Sequence, residues 1–171
     1  MRILGETKEV ISKEIKDLLT NQLQHEMKNH NLYKMFALFY NSKGLFKMED
    51  YYTKRAFEEL KHYNWIQEYL IDCDVAIPSD LLIPVNDNII NSLEQPISDT
   101  VDREIETTQL ICKIADQAVK ESDWKTFNFL NKNLIPEQVE EEKLSRNILK
   151  ITTIDTDWLN KEDFVSDYYA K

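Results

Sequence analysis

At 171 residues with a formal charge of −10, the chain is long enough for one sizeable core and short for two ordinary domains, so residues 1–171 are read as a single domain. The negative charge opposes nucleic acid or an anionic membrane surface as a partner, and no apolar run approaches the ~20 residues that span a bilayer. Only two Gly and four Pro interrupt a composition rich in Leu, Ile, Glu, Lys, Gln and Asn, which favours long helices and an all-α class.

The two cysteines, Cys73 and Cys112, do not form a close-spaced pair, and the start MRILGETKEV lacks the apolar core of a signal peptide. A reducing cytoplasm is the expected compartment.

From about Lys8 to Tyr40 the residues Ile11, Ile15, Leu18, Leu19, Leu23, Met27, Leu32, Met35, Phe36 and Phe39 recur mostly at steps of three or four, the period of an amphipathic helix. Gly44 marks a short turn. Met48, Tyr52, Ala56, Leu60, Tyr63, Ile66 and Leu70 then carry a second helix to about Cys73, antiparallel to the first. Between Asp74 and Asn91 the text changes to IPSDLLIPVNDN, where Pro78 and Pro84 disfavour helix at the residues before them. Ser92 and Gln95 have capping-box spacing and Pro96 suits a first turn. Val101, Ile105, Thr108, Ile111, Ala115 and Val119 continue the third helix to about Lys120.

After the polar turn at Glu121 to Asp123, a fourth helix runs from about Trp124 to Ile151 through Phe127, Leu130, Leu134, Val139, Leu144, Ile148 and Leu149, with Pro136 in its interior. The tail from Asn160, with Phe164, Val165 and Tyr168, reads as a short fifth helix. An extended connection of about 18 residues reaches up to ~60 Å, and a helix of about 27 residues is only ~40 Å long. The second-to-third connection can therefore run the length of the bundle, leaving those helices parallel and giving two antiparallel hairpins joined by one long crossover.

Most Glu and Asp fall on outward faces, but Glu26, Glu59, Glu104 and Glu141 fall on the stripes otherwise held by apolar residues, one per long helix. At 1.5 Å rise per residue, Glu26 and Glu59 lie about 15 and about 12 residues from their shared turn. Glu104 and Glu141 lie about 17 and about 18 from theirs, which brings all four near one level of the bundle. Glu59 and His62 form an i, i+3 pair that can present a carboxylate and an imidazole to one ion. Four buried glutamates would repel one another unless cations neutralised them, and carboxylates with few nitrogens suit Fe(II), Mn(II) or Mg more than zinc or copper.

EELKH at Glu58 to His62, TFNFL at Thr126 to Leu130 and EQVEEEKL at Glu137 to Leu144 stand in an order and spacing that resembles the bacterial non-haem ferritins along nearly the whole chain. That resemblance implies a ferritin-like four-helix bundle with a long crossover and a short C-terminal helix. It also implies a di-iron centre without haem, oxidation of Fe(II) by dioxygen or hydrogen peroxide, and a 24-mer cage of identical chains that stores ferric mineral.

By the resemblance, Glu26, Glu59 and His62 hold the first iron, Glu59 bridges, and Glu104 and Glu141 hold the second. Gln138 lies close to the pair, Tyr33 hydrogen-bonds or donates an electron nearby, and Glu58, Glu137 and Glu140 match a weaker iron site toward the cavity. His25 and His30 are expected at the surface, the tail resembles the helix that lines four-fold channels, and the acidic turn residues Glu121 and Asp123 are candidates to line a three-fold access route. The chain departs from the family in one extra residue between TFNFL and Gln138, and in Pro136. An extra residue turns every later side chain of the helix by about 100°, so a π-bulge or kink must absorb it for Glu141 to face inward.

The alternatives are a di-iron oxidase on the same fold and a metal-free helical scaffold. Enzymes that repeat Glu-x-x-His on two helices fit less well, because the residue three after Glu141 is Leu144.

Overall fold

The computed structural model describes residues 10–77, 89–154 and 157–170. Ser12 opens the first helix, α1 (Lys13–Ser42), by accepting the Ile15 N–H through its hydroxyl at 3.1 Å. That cap sets the start five residues later than the apolar period alone suggests. Gly44, at φ +77°, turns the chain into α2 (Phe46–Asp72). The two helices are antiparallel: Val10 N–H donates to the Cys73 carbonyl at one end of the pair, and His30 Nδ1 meets the Ala56 carbonyl near its middle at 2.6 Å.

The third helix, α3 (Gln95–Glu121), runs against α1. Its beginning lies by the end of α1, where Tyr40 donates to the Leu93 carbonyl, and Thr107 further along meets His25. Helices α2 and α3 are therefore parallel, the arrangement expected of a crossover. Pro78 and Pro84 lie outside the described residues. Ahead of α3, Ser92 accepts the Gln95 N–H, while the Gln95 side chain reaches back to the Asn91 N–H, a pairing like that anticipated from the sequence.

Ser122, in the left-handed region at φ +57°, ends α3. Asp123 caps α4 (Trp124–Phe129), accepting from the Thr126 N–H and hydroxyl. A π turn, Leu130–Leu134, leads into α5 (Ile135–Ile154), which runs back along α3. The π turn takes up one residue more than a regular helical turn, as the expected bulge requires, and ends just before Pro136. In a regular helix the ring of Pro136 would collide with the carbonyl one turn back.

From the last residue of the π turn onward the inward stripe is Leu134, Gln138, Glu141, Ser145, Ile148 and Thr152. Val139, one residue past Gln138, points out and is 59% exposed, contrary to the expected stripe. Val119 is likewise exposed. From Val101 onward the buried positions of α3 are Val101, Glu104, Thr107, Ile111, Ile114 and Ala118, and Val119 sits about 100° beyond Ala118.

Two apolar clusters fill the bundle. One joins Leu19, Leu23, Ile66, Leu70, Ile111 and Leu134; the other joins Phe36, Tyr40, Met48, Tyr52, Ile97 and Ile148. Between them every long helix turns polar inward, over the stretch that carries Glu26, Glu59, Glu104 and Glu141. The last helix, α6 (Trp158–Tyr169), is capped by Asp157 and lies against α2 and α5. Its Val165 is buried, and its Glu162 accepts the Lys47 N–H at 3.0 Å. That bond supplies the carboxylate cap that α2 lacks from its own N-cap residue, Leu45. No helix among the described residues is long and apolar enough to cross a membrane.

Deleting Lys132 together with Pro136→Ala should return the π turn to regular helix and leave Glu141 facing inward, with unchanged far-UV helicity. Deleting Lys132 alone leaves the proline inside a regular helix and should cost about 3 kcal/mol. Equal urea midpoints for the two variants would refute this role of the π turn.

Candidate metal centre

The polar layer between the apolar clusters gathers one carboxylate from each long helix. Glu26 comes from α1, Glu59 and His62 from α2, Glu104 from α3, and Gln138 and Glu141 from α5, all buried. The spacing Glu59–His62 puts both side chains on the inward face of α2 with Ile66. Three sets of donor atoms lie within 4.8 Å of one another: Glu26 with Glu59 and His62, Glu59 with Glu104 and Glu141, and His62 with Glu137 and Glu141. Glu59 belongs to the first two, the position a bridging carboxylate would take.

Glu104 is the most tightly held member. Its Oε1 accepts from Tyr33 at 2.6 Å and from Arg55 Nη2 at 2.5 Å, and its Oε2 accepts from the Gln138 amide at 2.9 Å. Gln22, one turn before Glu26, donates to that carboxylate at 2.6 Å. By contrast Glu26 Oε2, Glu59 Oε1, His62 Nε2 and Glu141 Oε2 are buried without a hydrogen-bond partner. Buried polar atoms are ordinarily paired, so these atoms mark where a further ligand fits. Oxygens with one imidazole nitrogen are the donor set of Fe(II) or Mn(II), and the residues present fit such an ion.

Arg55, fully buried on α2, is not among the site residues expected from the sequence. Besides Glu104 it bonds Glu141 through Nη1 at 3.0 Å and Glu58 at 2.7 Å, and lies 3.7 Å from Glu59. Its guanidinium also faces the Tyr33 ring, 5.6 Å from the centroid. The available signal was positional: Arg55 precedes Glu59 by one turn, on the stripe shared with Tyr52, Glu59, His62 and Ile66. The neighbouring Lys54 is exposed, so a Lys-Arg pair gives no hint by composition of which member turns inward.

The three carboxylates expected farther out line one cleft, do not together make a set whose donor atoms converge within 4.8 Å, and each have a partner in the protein. Glu58 is bonded by Arg55 and by the Tyr169 hydroxyl of α6 at 2.7 Å; Glu137 pairs with Lys61 at 2.9 Å; the exposed Glu140 pairs with Lys143 at 3.2 Å. His25 and His30, expected at the surface, are not there. His25 is buried against Thr107 and Asn29, and His30 is half-buried against the Ala56 carbonyl. Their helix faces look into the α1–α3 and α1–α2 seams, which turn spacing alone could not assign.

Burial governs the charges. It raises Glu26 to about 7, with hydrogen bonds to Glu59 and then Gln22 pulling the other way, and Glu141 to about 8, with Arg55 pulling the other way. Glu59 is pushed well above the carboxylate range by burial and then by Glu104, Glu26 and Glu141. His62 is lowered to about 4 by burial, with Arg55 and Lys61 adding to the shift, so its ring is neutral and free to coordinate. Burial opposes the charge on Arg55, but Glu141 and Glu104 outweigh it and hold the guanidinium charged.

A family model for the ferritin-like domain matches residues 16–154. A bacterial non-heme ferritin of Staphylococcus saprophyticus is 29% identical over 79% of this chain and 80% of the relative. Another, of Campylobacter jejuni, is 29% identical over 82% of this chain and 83% of the relative. Among solved structures, an open-pore ferritin of the hyperthermophilic archaeon Archaeoglobus fulgidus superposes with a TM-score of 0.84, covering 92% of this chain and 98% of that one. At 23% identity that likeness speaks for the fold alone.

In the metal-free chain Glu26, Glu59 and Glu141 hold protons that unfolding releases. Their contribution to stability is full below the unfolded value of 4.5 and is lost as pH climbs through about 7 and about 8. His62 and His25, both lowered to about 4, act in the opposite sense and only below their unfolded value of 6.5. With chelator present, the urea midpoint should therefore fall between pH 6.5 and pH 8; a midpoint that rises would contradict these charge states. Arg55→Met strands buried carboxylates and should cost the metal-free chain about 3–5 kcal/mol at pH 8, measured by the same titration.

Proposed function

Because the chain belongs to the ferritin-like domain family, we propose that it stores iron: it binds Fe(II) at the polar layer, oxidises it, and delivers Fe(III) to a mineral held inside a cage of identical chains. The observation that carries this reading is the triad Glu26, Glu59 and His62, whose donor atoms converge within 4.8 Å and include buried atoms that lack other partners.

Iron enters as substrate. Glu26, Glu59 and His62 take the first ion, Glu104 and Glu141 the second, and Glu59 reaches both. Two Fe(II) give up two electrons; dioxygen that accepts them with two protons leaves as hydrogen peroxide, and peroxide in the same role leaves as water. The protein supplies position and charge. Carboxylates whose protons are held by burial release them as metal binds, and Gln138 and Tyr33 fix Glu104. Tyr33 is held protonated, by burial first and then by Glu104, which suits a hydrogen-bonding role in the resting state. Fe(III) passes outward by Glu58, Glu137 and Glu140.

Residues 1–171 act in this reading as one unit, in the cytoplasm, within a 24-mer. The alternative of a di-iron oxidase differs in where the iron ends.

Fe(II) added aerobically to the metal-free protein, followed by ferric absorbance and by size-exclusion mass on the same sample, separates the readings. Storage requires rapid oxidation with many irons per chain retained in a large shell; about two irons per chain in a monomer would indicate an oxidase. Glu26→Ala and His62→Ala should each slow oxidation by about tenfold or more, equivalent to ~1.4 kcal/mol of barrier, with helicity intact. Unchanged kinetics in both would remove the assignment.

A further inference from the structure

The two carboxylate sets of the polar layer are not equivalent. Both keep buried atoms without partners, at Glu26, Glu59 and His62 in one and at Glu59 and Glu141 in the other, but only the set Glu59, Glu104 and Glu141 is met by a cationic side chain of the protein. Arg55 Nη2 lies 2.5 Å from Glu104 and 3.7 Å from Glu59, and Nη1 lies 3.0 Å from Glu141. One guanidinium thus touches all three carboxylates whose oxygens would otherwise converge on an ion.

Resting on the reading of this layer as a metal centre, we propose that Arg55 is a built-in cation occupying the second metal position. The resting chain then binds one divalent ion tightly, at Glu26, Glu59 and His62, and takes a second only by displacing the guanidinium. The two cations exclude each other for steric and electrostatic reasons. A metal ion needs carboxylate oxygens at about 2.0–2.2 Å, and Arg55 already draws on the same oxygens from the space between them. Like charges at such separations repel strongly where water is excluded. Arginine cannot lose its proton to escape the conflict, so it has to move.

The fold provides a place for it to go. A cleft of about 590 Å³ opens beside Arg55, lined among others by Glu58, Glu137, Glu140, Glu141 and Tyr169. Nη1 already bonds Glu58 on that side at 2.7 Å, and the other oxygen of Glu58 is held by Tyr169 of α6. Rotation of the side chain toward Glu58 keeps one charge-assisted bond throughout and opens Glu104 and Glu141. Displacement also adds a positive charge among Glu58, Glu137 and Glu140, so filling the second position weakens the outer carboxylates as an iron-holding group.

The test is an anaerobic titration of the chelator-stripped protein with Co(II), read by calorimetry and by the visible absorbance of the bound ion. The expected result is one tight ion per chain in the unaltered protein, with a second bound at least about tenfold more weakly, and two of similar affinity in Arg55→Met. Two equally tight ions in the unaltered protein would overturn the role of Arg55 and leave the metal centre standing. One ion in both proteins would overturn it as well, and no ion in either would overturn the metal reading itself. If Arg55→Met does not fold, His62→Ala in the otherwise unaltered chain decides the matter. Loss of the single tight ion places it at the first set, and its retention would place it among the carboxylates held by Arg55 and overturn the proposal.

Discussion

A carboxylate moved from water into the middle of a helical bundle loses several kcal/mol of solvation unless positive charge or hydrogen-bond donors replace the water. This chain buries four of them at one level, Glu26, Glu59, Glu104 and Glu141, and much of the interior answers to that demand. Tyr33, Gln138 and Gln22 donate to two of the four, Arg55 spans two and approaches a third, and the carboxylates left short of donors hold their protons when no metal is present.

Such a layer can persist only because the halves on either side are well made. Leu19, Leu23, Ile66 and Ile111 pack at one end, and Phe36, Tyr40, Met48 and Tyr52 at the other, with Tyr40 and Tyr52 stacked 5.5 Å apart. Apolar burial of this kind supplies the stability that a polar layer subtracts. It also fixes helix register, since each helix is held above and below the layer. The π turn belongs to the same problem: it takes up a residue that would otherwise have rotated Gln138 and Glu141 out of the centre.

The same chemistry yields unequal sites. Glu26, Glu59 and His62 each keep one buried atom without a partner and no cationic side chain bonds Glu26 or His62 among the described residues, whereas Arg55 bonds Glu104 and Glu141. Helix α6 is tied to this asymmetry, because Tyr169 orients Glu58 and Glu58 holds the outer edge of the guanidinium. Its Glu162 meanwhile caps α2, the helix that carries Arg55, Glu59 and His62. The C-terminal helix is thereby joined to the centre by hydrogen bonds, beyond the burial of Val165.

The sequence by itself determined the helices and the level of the four glutamates. Both arise from local rules: a period near 3.6, a fixed rise per residue, and short turns that pin helix ends together. The resemblance to ferritins, against which the chain carries one surplus residue, implied a bulge before Glu141, since one residue has a definite angular consequence. Family likeness in EELKH, TFNFL and EQVEEEKL supplied the assignment of roles, which periodicity could not. The tertiary structure decided what lies across the seams. Whether Lys54 or Arg55 turns inward, whether Val139 or Gln138 faces α3, and whether His25 meets Thr107 or solvent depend on a rotation of less than one residue step. Only packing against another helix sets that rotation, and it places Arg55 at the centre while its neighbour Lys54 stays exposed.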